Sequence, residues 1–565
     1  MTEFILTLAS VFIAAGVLLL VANHLRFPAV PFYILAGLAI GRLIEQDELI
    51  ILALFGIAFL VFVFGSRIDL GDITSVLRHG EAAAFIQLII VAPIAFAVGY
   101  ALGDIFAFED PFRNALYFSA AATLSSTLVG AKVLEEGIRK NLVYGRLAAS
   151  IHFFDDVIAI GVLLVLSAEV LTDTQLVTSK IGFGVLFILA GLLVSRHGYP
   201  LLIRAAGGGD ELVLMGSISL LMAFLAAAEY VGISIVIGAF AAGIAVRSEG
   251  PASLGVRNGI ESIKDFFAAI FFVTVGALVA VPSIEVVILA VALVLLVVVL
   301  NPFIHTMAFI FEGYDGRTGF LAGSSLNQVS ELALVIAIQA WLLETIAPTL
   351  FDAIILAAAV TMILSAIAGR YEQAVFESIL APFLSERTGY IDRNSQVDEE
   401  LSDHVVIIGY GRHGRRIVQQ LEELKVPYAV IENDPTIRVD LESDCANFVF
   451  GDAIASYPLE RARVANARMV ISTVEHRPVS EMILSTDSEA RIILRASNSR
   501  EAEKLLDEGA DFVSVASLLA ADQLVEHIKY VINDETELDS LAAQHLDYLQ
   551  MVELSDLEQH QHYRV

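Results

Sequence analysis

The most informative segment of the chain reads Ser150-Ile-His-Phe-Phe-Asp-Asp-Val-Ile-Ala-Ile-Gly-Val-Leu-Leu-Val-Leu-Ser167. Two adjacent carboxylates, Asp155 and Asp156, interrupt a run that is otherwise as apolar as a membrane helix. An aspartate at the centre of such a helix costs about 2.5 to 3.5 kcal/mol on insertion scales. Acids kept at that cost usually face a water-filled cavity, a cation or a proton pathway. The segment therefore predicts an ion or proton site inside a membrane.

The composition of the first two thirds of the chain is that of a membrane protein. The 565 residues are 57% hydrophobic, with a mean hydropathy of +0.73. The apolar excess lies before residue 371, which argues against a soluble protein with a buried, salt-bridged acid. A span needs about 20 apolar residues. We predict thirteen spans, near residues 3–23, 28–43, 49–66, 82–105, 113–134, 146–168, 177–197, 211–230, 232–247, 263–281, 284–306, 317–342 and 346–369.

Basic residues predict the orientation of these spans, because positive charge concentrates on the cytoplasmic side. If the N-terminus lies outside, fourteen lysines and arginines fall in inside loops or at inside helix ends. The outside then receives three, Arg42, Arg113 and Lys180. We therefore expect a multi-pass protein of the plasma membrane with residues from 371 onward in the cytoplasm.

The fifth predicted span contains the hydroxyl cluster Ser125, Ser126 and Thr127. Hydroxyl groups can satisfy the backbone groups that are freed where a membrane helix is broken, and broken helices form the ion sites of many transporters. The alternative is close helix packing through small residues. Because the cluster accompanies two intramembrane aspartates, we interpret it as the lining of their ion site.

A second polar patch lies in the twelfth predicted span and includes Asn327, Gln328 and Glu331. Glu331 is interpreted as a cavity acid or the partner of an arginine, and the two amides as hydrogen-bonding groups between helices. His152 precedes Asp156 by one helical turn, so the two share a helix face. It either tunes the aspartate pair or lies at the membrane interface.

The last third of the chain is an acidic α/β domain. Residues 371–565 hold 17 basic and 36 acidic residues, or −19 of the net charge of −30, which excludes a nucleic-acid surface. A strand from His404 runs into Gly409-x-Gly411-x-x-Gly414 and an amphipathic helix, and a second strand ends in Glu432. In this setting the glycines let backbone N–H groups approach a phosphate, and the acid binds ribose hydroxyls.

Further strands are predicted where the chain continues the βα pattern of a doubly wound parallel sheet. They begin at Phe448, Ala467, Arg491 and Asp511. We predict a membrane domain over 1–370, a charged linker over 371–402, a Rossmann-like domain over 403–522 and an acidic tail over 523–565. The single cysteine, Cys445, excludes an internal disulfide and a cysteine metal site, and is interpreted as core packing.

Five motifs of the membrane part give it a recognisable resemblance. They are Leu124-Ser-Ser-Thr-Leu128, Phe153-Phe-Asp-Asp-Val-Ile-Ala-Ile160, Gly238-Ala-Phe-Ala-Ala-Gly243, Phe271-Phe-Val-Thr-Val-Gly276 and Asn327-Gln-Val-Ser-Glu-Leu-Ala-Leu-Val335. The chain resembles the monovalent cation:proton antiporter-2 family, in particular its Kef-type branch. The resemblance implies sodium/proton antiporter-like inverted repeats, a crossed pair of broken helices and a homodimer in which a core domain moves against a dimerisation domain.

The resemblance also implies residue roles. Asp156 occupies the position of the essential carrier that binds a cation or a proton. Asp155 occupies a position that is glutamine in Kef-type members and aspartate in related sodium/proton antiporters. Those double-aspartate members usually have a lysine in the twelfth span, where this chain has Gln328. The resemblance therefore leaves the exchanged cation, K⁺ or Na⁺, and the charge stoichiometry open.

The cytoplasmic domain resembles the regulatory TrkA-N (RCK) domain. Gly451-Asp-Ala453 matches its motif after the third strand, and Arg495 its basic position. The resemblance implies an adenine nucleotide, AMP or NAD(H), bound by the glycine loop with Arg412 and His413, by Glu432, Asp452 and Arg495. The alternative is a nucleotide-free dimerisation module. A dehydrogenase is rejected because no catalytic domain follows, so we do not expect an enzyme.

These observations predict a secondary-active antiporter that exchanges K⁺ or Na⁺ for H⁺ by alternating access and is regulated by a nucleotide. A buried carboxylate favours its neutral form, so protons and cations compete for the same oxygens. No metal other than the transported cation is expected. The alternative is a nucleotide-gated, channel-like potassium efflux protein, which the absence of a Thr-Val-Gly filter loop disfavours. A membrane sensor without transport would leave both aspartates unexplained.

Overall fold

The computed structural model divides the chain into two compact units, residues 1–385 and 386–565, which are described separately. The structure describes residues 2–44, 46–67, 81–127, 129–130, 137, 142–166, 174–206, 209–246, 254–380 and 395–533. Most of the predicted acidic tail and the middle of the predicted linker lie outside these residues.

The first unit is entirely helical in its described part. Its first eight helices are α1 Thr2–Leu25, α2 Ala29–Ile40, α3 Gln46–Arg67, α4 Glu81–Ile105, α5 Pro111–Thr123, α6 Val143–Leu166, α7 Thr174–Leu193 and α8 Tyr199–Ala206. The others are α9 Asp210–Val231, α10 Ile235–Ala245, α11 Leu254–Leu278, α12 Ile284–Leu295, α13 Asn301–Glu312, α14 Gly316–Ser324, α15 Glu331–Leu342 and α16 Pro348–Val375. Single π turns join α7 to α8 (Val194–Gly198) and α12 to α13 (Leu296–Leu300), and another extends α16 through Phe376–Leu380.

Each of the thirteen predicted spans contains helix. By length and composition, seven helical segments of the described chain can cross a membrane. They are Ile5–Leu25, Gln46–Ser66, Ala83–Ile105, Gly182–Ala206, Asp210–Val231, Ile284–Glu312 and Pro348–Glu372. The remaining predicted spans correspond to shorter or less apolar helices, so the number of spans stays a prediction.

The predicted broken helices are present in the fifth and twelfth spans. Helix α5 ends at Thr123, and the chain is extended at Leu124. Helix α14 ends at Ser324, and α15 begins at Glu331, where the Ser330 hydroxyl accepts the Leu332 N–H at 3.1 Å. The chain between the two halves of each helix is therefore free to pair outside the helix.

The two unwound segments cross each other as a short antiparallel pair. Ser125 and Val329 form an isolated β-bridge. The Ser126 N–H donates to the Gln328 carbonyl at 3.3 Å, and the Ser330 N–H donates to the Leu124 carbonyl at 3.1 Å. These bonds satisfy backbone groups that a continuous helix would have paired internally, as the interior of a membrane requires.

Glycines allow two pairs of helices to touch through their backbones. A Cβ atom on Gly276 of α11 would lie 2.2 Å from the Ile34 carbonyl oxygen of α2, and one on Gly37 would lie 2.0 Å from that of Val273. Between α3 and α10, a Cβ atom on Gly243 would lie 2.1 Å from the Phe62 carbonyl oxygen. Small residues are the usual means of such close packing in membranes.

We expect Gly276→Val to destabilise the membrane unit, because overpacking typically costs about 1 to 3 kcal/mol and here the obstacle is backbone. The matched control is Gly182→Val in α7, since a Cβ atom on Gly182 meets nothing within 4 Å. The measurement is the temperature at which each detergent-purified variant loses its monodisperse peak in size-exclusion chromatography. Equal temperatures for both variants and the parent would contradict the packing argument.

The second unit contains a six-stranded parallel sheet flanked by helices. Its strands are β1 His404–Ile408, β2 Tyr428–Glu432, β3 Phe448–Phe450, β4 Ala467–Ser472, β5 Arg491–Ala496 and β6 Phe512–Val515. Its helices are α17 Arg412–Glu423, α18 Arg438–Asp444, α19 Ser456–Arg461, α20 Arg477–Ser485, α21 Ser499–Asp507 and α22 Ala516–Asn533. The strand order β3-β2-β1-β4-β5-β6 is that of a doubly wound dinucleotide-binding fold, which confirms the predicted fold class.

Both ends of the predicted linker and the predicted end of the α/β domain lie in ordered elements. Helix α16 continues through residue 370 into the π turn that ends at Leu380. Gln396 forms a β-bridge with Phe448, and Val397 and Leu401 are buried in the core of the second unit. Helix α22 crosses the predicted domain end at residue 522. The domain limits stay predictions.

Candidate ion site and nucleotide site

The crossing of the broken helices places two hydroxyls beside the two aspartates of α6. The backbone N–H of Ser125 donates to Asp155 Oδ2 at 3.1 Å, and the Ser125 hydroxyl donates to the same oxygen. The Thr127 hydroxyl donates to Asp156 Oδ1 at 2.8 Å. Ser125 and Thr127, which lie two positions apart, thus donate hydrogen bonds to the adjacent residues Asp155 and Asp156 of α6.

The two aspartates differ in accessibility. Asp155 is 2% exposed, whereas Asp156 is half-buried. Asp155, whose Oδ2 atom accepts two hydrogen bonds, is therefore the enclosed carboxylate. Asp156, which accepts a hydrogen bond from the Thr127 hydroxyl, is the accessible one. Oxygen groups of this kind suit hard monovalent cations.

Glu331 lies at the start of α15 and joins the two broken helices. The Ser126 hydroxyl donates to Glu331 Oε1, and both side chains are buried. An acid in the first turn is favoured by the positive end of the helix dipole. The three predicted hydroxyls, Ser125, Ser126 and Thr127, thus contact three different carboxylates.

Gln328 connects the unwound segments to α16. Its amide nitrogen donates to the carbonyls of Ser126 at 3.0 Å and Ser325 at 2.8 Å. Its amide oxygen accepts from the Ser365 hydroxyl at 2.7 Å. This neutral side chain stands where the resemblance would place a lysine in double-aspartate members. It holds the crossing together through backbone carbonyls.

His152 is buried one turn before Asp156 and lies against Gly130. A Cβ atom on Gly130 would lie 2.2 Å from His152 Nε2. Within the described residues neither ring nitrogen has a hydrogen-bond partner. The burial is inconsistent with an interfacial histidine, and the predicted tuning of the aspartate pair has no direct hydrogen bond to support it.

The sequence did not indicate several further polar side chains that surround the crossing. The Thr361 hydroxyl accepts the Val329 N–H at 3.1 Å. Gln87, Asn301 and His305 are buried near the carboxyl end of α5. The available signal was a lone polar residue in an apolar span, which is weak because such residues often only join helices.

The glycine loop of the second unit has the geometry that a phosphate site needs. Gly409 has φ +92°, a conformation that suits glycine. A Cβ atom on Gly414 would lie 2.0 Å from the Gly409 carbonyl oxygen, so the helix packs closely on the strand. A Cβ atom on Gly411 would meet nothing within 4 Å, and no side chain caps the N-terminus of α17. The loop therefore leaves space at a helix N-terminus, which suits an anion.

Glu432 ends β2 beside this loop and is 8% exposed. Its Oε2 atom accepts the Tyr410 N–H at 2.6 Å, and its Oε1 atom accepts the N–H groups of Asn433 at 2.7 Å and Asp434 at 2.8 Å. Burial and the neighbouring Asp434 raise the pKa of this carboxyl above its usual value. The predicted ribose ligand is therefore also a structural acceptor that ties β2 to the glycine loop.

Arg495 and His413, two of the basic residues predicted at the nucleotide site, lie within hydrogen-bonding distance of each other. Arg495 Nε donates to Glu475 Oε1 at 2.5 Å, and Arg495 Nη1 lies 3.1 Å from His413 Nδ1. Partial burial and the cations of Arg495 and Arg412 lower the pKa of His413, which favours the neutral imidazole. Arg412 is exposed at the start of α17. Asp452 follows β3 and accepts the Ile454 N–H at 3.1 Å.

The burial of Cys445 in the second unit can be tested by thiol labelling. Its side chain is 5% exposed, and burial together with Asp444 and Glu422 raises the pKa of the thiol to about 11. We expect a maleimide at pH 8 to label the native protein slowly and the denatured protein completely. Because this is the chain's single cysteine, mass spectrometry of the intact chain reads the result directly. Rapid labelling of the native protein would contradict the packing of this residue.

Comparison with known proteins agrees with both halves of this architecture. The transmembrane sodium/hydrogen exchanger family matches residues 8–369, and the TrkA-N domain matches residues 405–516. The membrane part is similar in fold to the sodium proton antiporter MjNhaP1 of Methanocaldococcus jannaschii, with 15% identity and a TM-score of 0.51 over 67% of this chain and 99% of that one.

Two relatives cover most of the chain. One is YbaL of Escherichia coli (strain K12), a protein named as a cation/proton antiporter, with 26% identity over 93% of this chain and 97% of its own length. The other is the glutathione-regulated potassium-efflux system protein KefC of Salmonella typhi, with 24% identity over 86% of this chain and 78% of its own length. Both are transport proteins. The chain belongs to the sodium/hydrogen exchanger family of cation/proton antiporters and carries a TrkA-N domain after its membrane part.

Proposed function

We propose that the protein exchanges K⁺ or Na⁺ for H⁺ and that Asp156 is the exchanging carboxylate. The observation that carries the proposal is the pairing of half-buried Asp156 with the Thr127 hydroxyl at the crossing of the unwound segments. A carboxylate there binds either a proton or a cation, because both use the same oxygens and low polarity disfavours an uncompensated charge.

Asp155 has a supporting role in this proposal. Two donors from Ser125 hold its carboxyl group in an enclosed position, so it fixes the unwound segment at the site without being the group most open to solution. Ser126 and Glu331 fix the position of the second unwound segment. Movement that exposes the crossing alternately to each side of the membrane then produces exchange.

The second unit binds the regulatory nucleotide in this proposal. The backbone N–H groups at the start of α17 and the open space at Gly411 fit a phosphate. In this proposal Glu432 binds ribose hydroxyls, and Arg495, His413 and Asp452 bind the rest of an adenine nucleotide such as AMP or NAD(H). Binding is proposed to bias the membrane unit towards or away from exchange.

We further propose a homodimer in the plasma membrane, with the N-terminus outside and the second unit in the cytoplasm. The basic-residue distribution supports the orientation. Labelling of cysteines introduced at Arg42 and at Arg204 in intact cells tests it, since an impermeant reagent must reach the first position only.

Cation choice is tested with purified protein in liposomes that contain a pH-sensitive dye and an imposed pH gradient. Addition of K⁺ or Na⁺ is expected to dissipate the gradient, and the effective ion identifies the substrate. If neither cation moves protons, the proposed exchange is wrong. If a cation crosses without proton movement, the channel alternative replaces it.

A further inference from the structure

Three buried polar side chains gather where the first half of the broken helix ends. Gln87 of α4 is 1% exposed, and Asn301 and His305 of α13 are both 0% exposed. Two of them bind the last carbonyls of α5: Asn301 Nδ2 donates to Ala122 O at 2.8 Å, and Gln87 Nε2 donates to Thr123 O. These carbonyls directly precede the unwound segment that carries Ser125 and Thr127.

The path of the chain explains why these groups point at α5. The π turn Leu296–Leu300 precedes Asn301-Pro302, so the helix is already irregular where Asn301 begins α13. Single π turns of this kind often occur at functional sites. His305 follows one turn later and reaches Gln87, so the three side chains form one connected group.

His305 makes two polar contacts in this group. Its Nδ1 atom lies 2.8 Å from the Asn301 carbonyl oxygen, and its Nε2 atom lies 3.1 Å from Gln87 Oε1. Both partners are acceptors, because the Gln87 amide nitrogen is committed to Thr123 O. A neutral imidazole has one N–H, and its donation from Nε2 to Gln87 Oε1 joins the ring to the side chain that holds Thr123 O.

We propose that His305 is a positioning residue that holds the carboxyl end of the first half of the broken helix through Gln87. The consequence of this proposal rests on the proposed exchange function. The positions of Ser125 and Thr127, and hence the affinity for the cation, depend on His305, which contacts neither residue.

The ionisable surroundings of His305 are few. From α6, His152 is its electrostatic neighbour, with Asp155 three residues further along that helix. The described residues of α4 from Ala83 to Val98 and of α14 from Thr318 to Ser324 include no Asp, Glu, His, Lys or Arg, and α5 from Ala115 to Thr123 contributes only Tyr117. The hydrogen-bond contacts of His305 are therefore to uncharged groups, the Asn301 carbonyl and the Gln87 amide.

The test compares His305→Leu and His305→Gln in the full-length protein by hydrogen–deuterium exchange of the backbone amides of Leu124, Ser125 and Ser126. His305→Leu is expected to raise their exchange rate by about tenfold, since a buried acceptor loses its donor. His305→Gln supplies a neutral donor for Gln87 and is expected to restore protection.

Parental protection in His305→Leu would overturn the positioning role. Protection that His305→Gln fails to restore would overturn the role of the hydrogen bond to Gln87. If His305→Leu fails to fold, Gln87→Met provides the same loss of the link to Thr123. Because amide exchange is read without transport, a parent that moves no ions would reject the proposed function and leave this result standing. In an active parent, His305→Leu is also expected to raise the half-saturating cation concentration about tenfold while the maximal rate changes less.

Discussion

Asp156→Asn is expected to abolish cation-driven proton movement while the protein still folds. Asparagine preserves the shape of the side chain and an oxygen that can accept from Thr127 Oγ1, which lies 2.8 Å from Asp156 Oδ1. It has no charge to offer a cation and no proton to release. Loss of the carrier should therefore reduce exchange to that of empty liposomes, a fall of at least about a hundredfold.

The matched control is Asp352→Asn, which neutralises another buried acid of the membrane unit. Asp352 lies in α16 and is 7% exposed, but the unwound segments do not contain it. Its variant should retain exchange within about threefold of the parent, as expected for a group outside the ion site. Exchange that survives in Asp156→Asn, or that disappears equally in both variants, would contradict the assignment of Asp156.

Gly411→Val is expected to remove nucleotide binding without unfolding the second unit. The backbone at Gly411 has φ −72° and ψ −166°, which valine adopts, and a Cβ atom there meets no protein atom within 4 Å. The added methyl groups would occupy the space in which a phosphate approaches the backbone N–H groups of α17. The expected loss of affinity is about a hundredfold, because the ligand's buried acceptors would lose their donors.

Calorimetric titration of the full-length protein with AMP and with NAD measures this effect. Gly414→Val is the contrasting variant, since its Cβ atom would lie 2.0 Å from the Gly409 carbonyl oxygen and should damage the fold itself. Gly411→Val should keep the thermal stability of the parent and lose its nucleotide response. Unchanged affinity in Gly411→Val would contradict the proposed phosphate site.

The sequence predicted the broken helices better than it predicted their contacts. Hydroxyls and acids inside apolar spans have no use in an ordinary lipid-facing helix, so they indicated a site. Which hydroxyl meets which acid depends on the crossing of two segments about 200 residues apart, such as Ser126 and Glu331. No local pattern carries that information.

The polar group around His305 was missed for the same reason. Gln87 and His305 lie 218 positions apart, and each is a single polar residue in an apolar helix. In the second unit, by contrast, the strand, glycine loop and Glu432 are neighbours in the chain, so the end of β2 was predicted where it is observed, at Glu432. The three backbone donors to Glu432 come from loop geometry that the motif does not specify.

The most direct test of antiport is proton flux in liposomes that contain the purified parent protein, with the membrane potential clamped at zero. Addition of K⁺ or Na⁺ should then dissipate an imposed pH gradient, because each cation that enters must exchange with protons at Asp156. Cation movement that leaves the pH gradient intact under the same clamp would contradict the account and make the pair Asp155 and Asp156 part of a passive pathway.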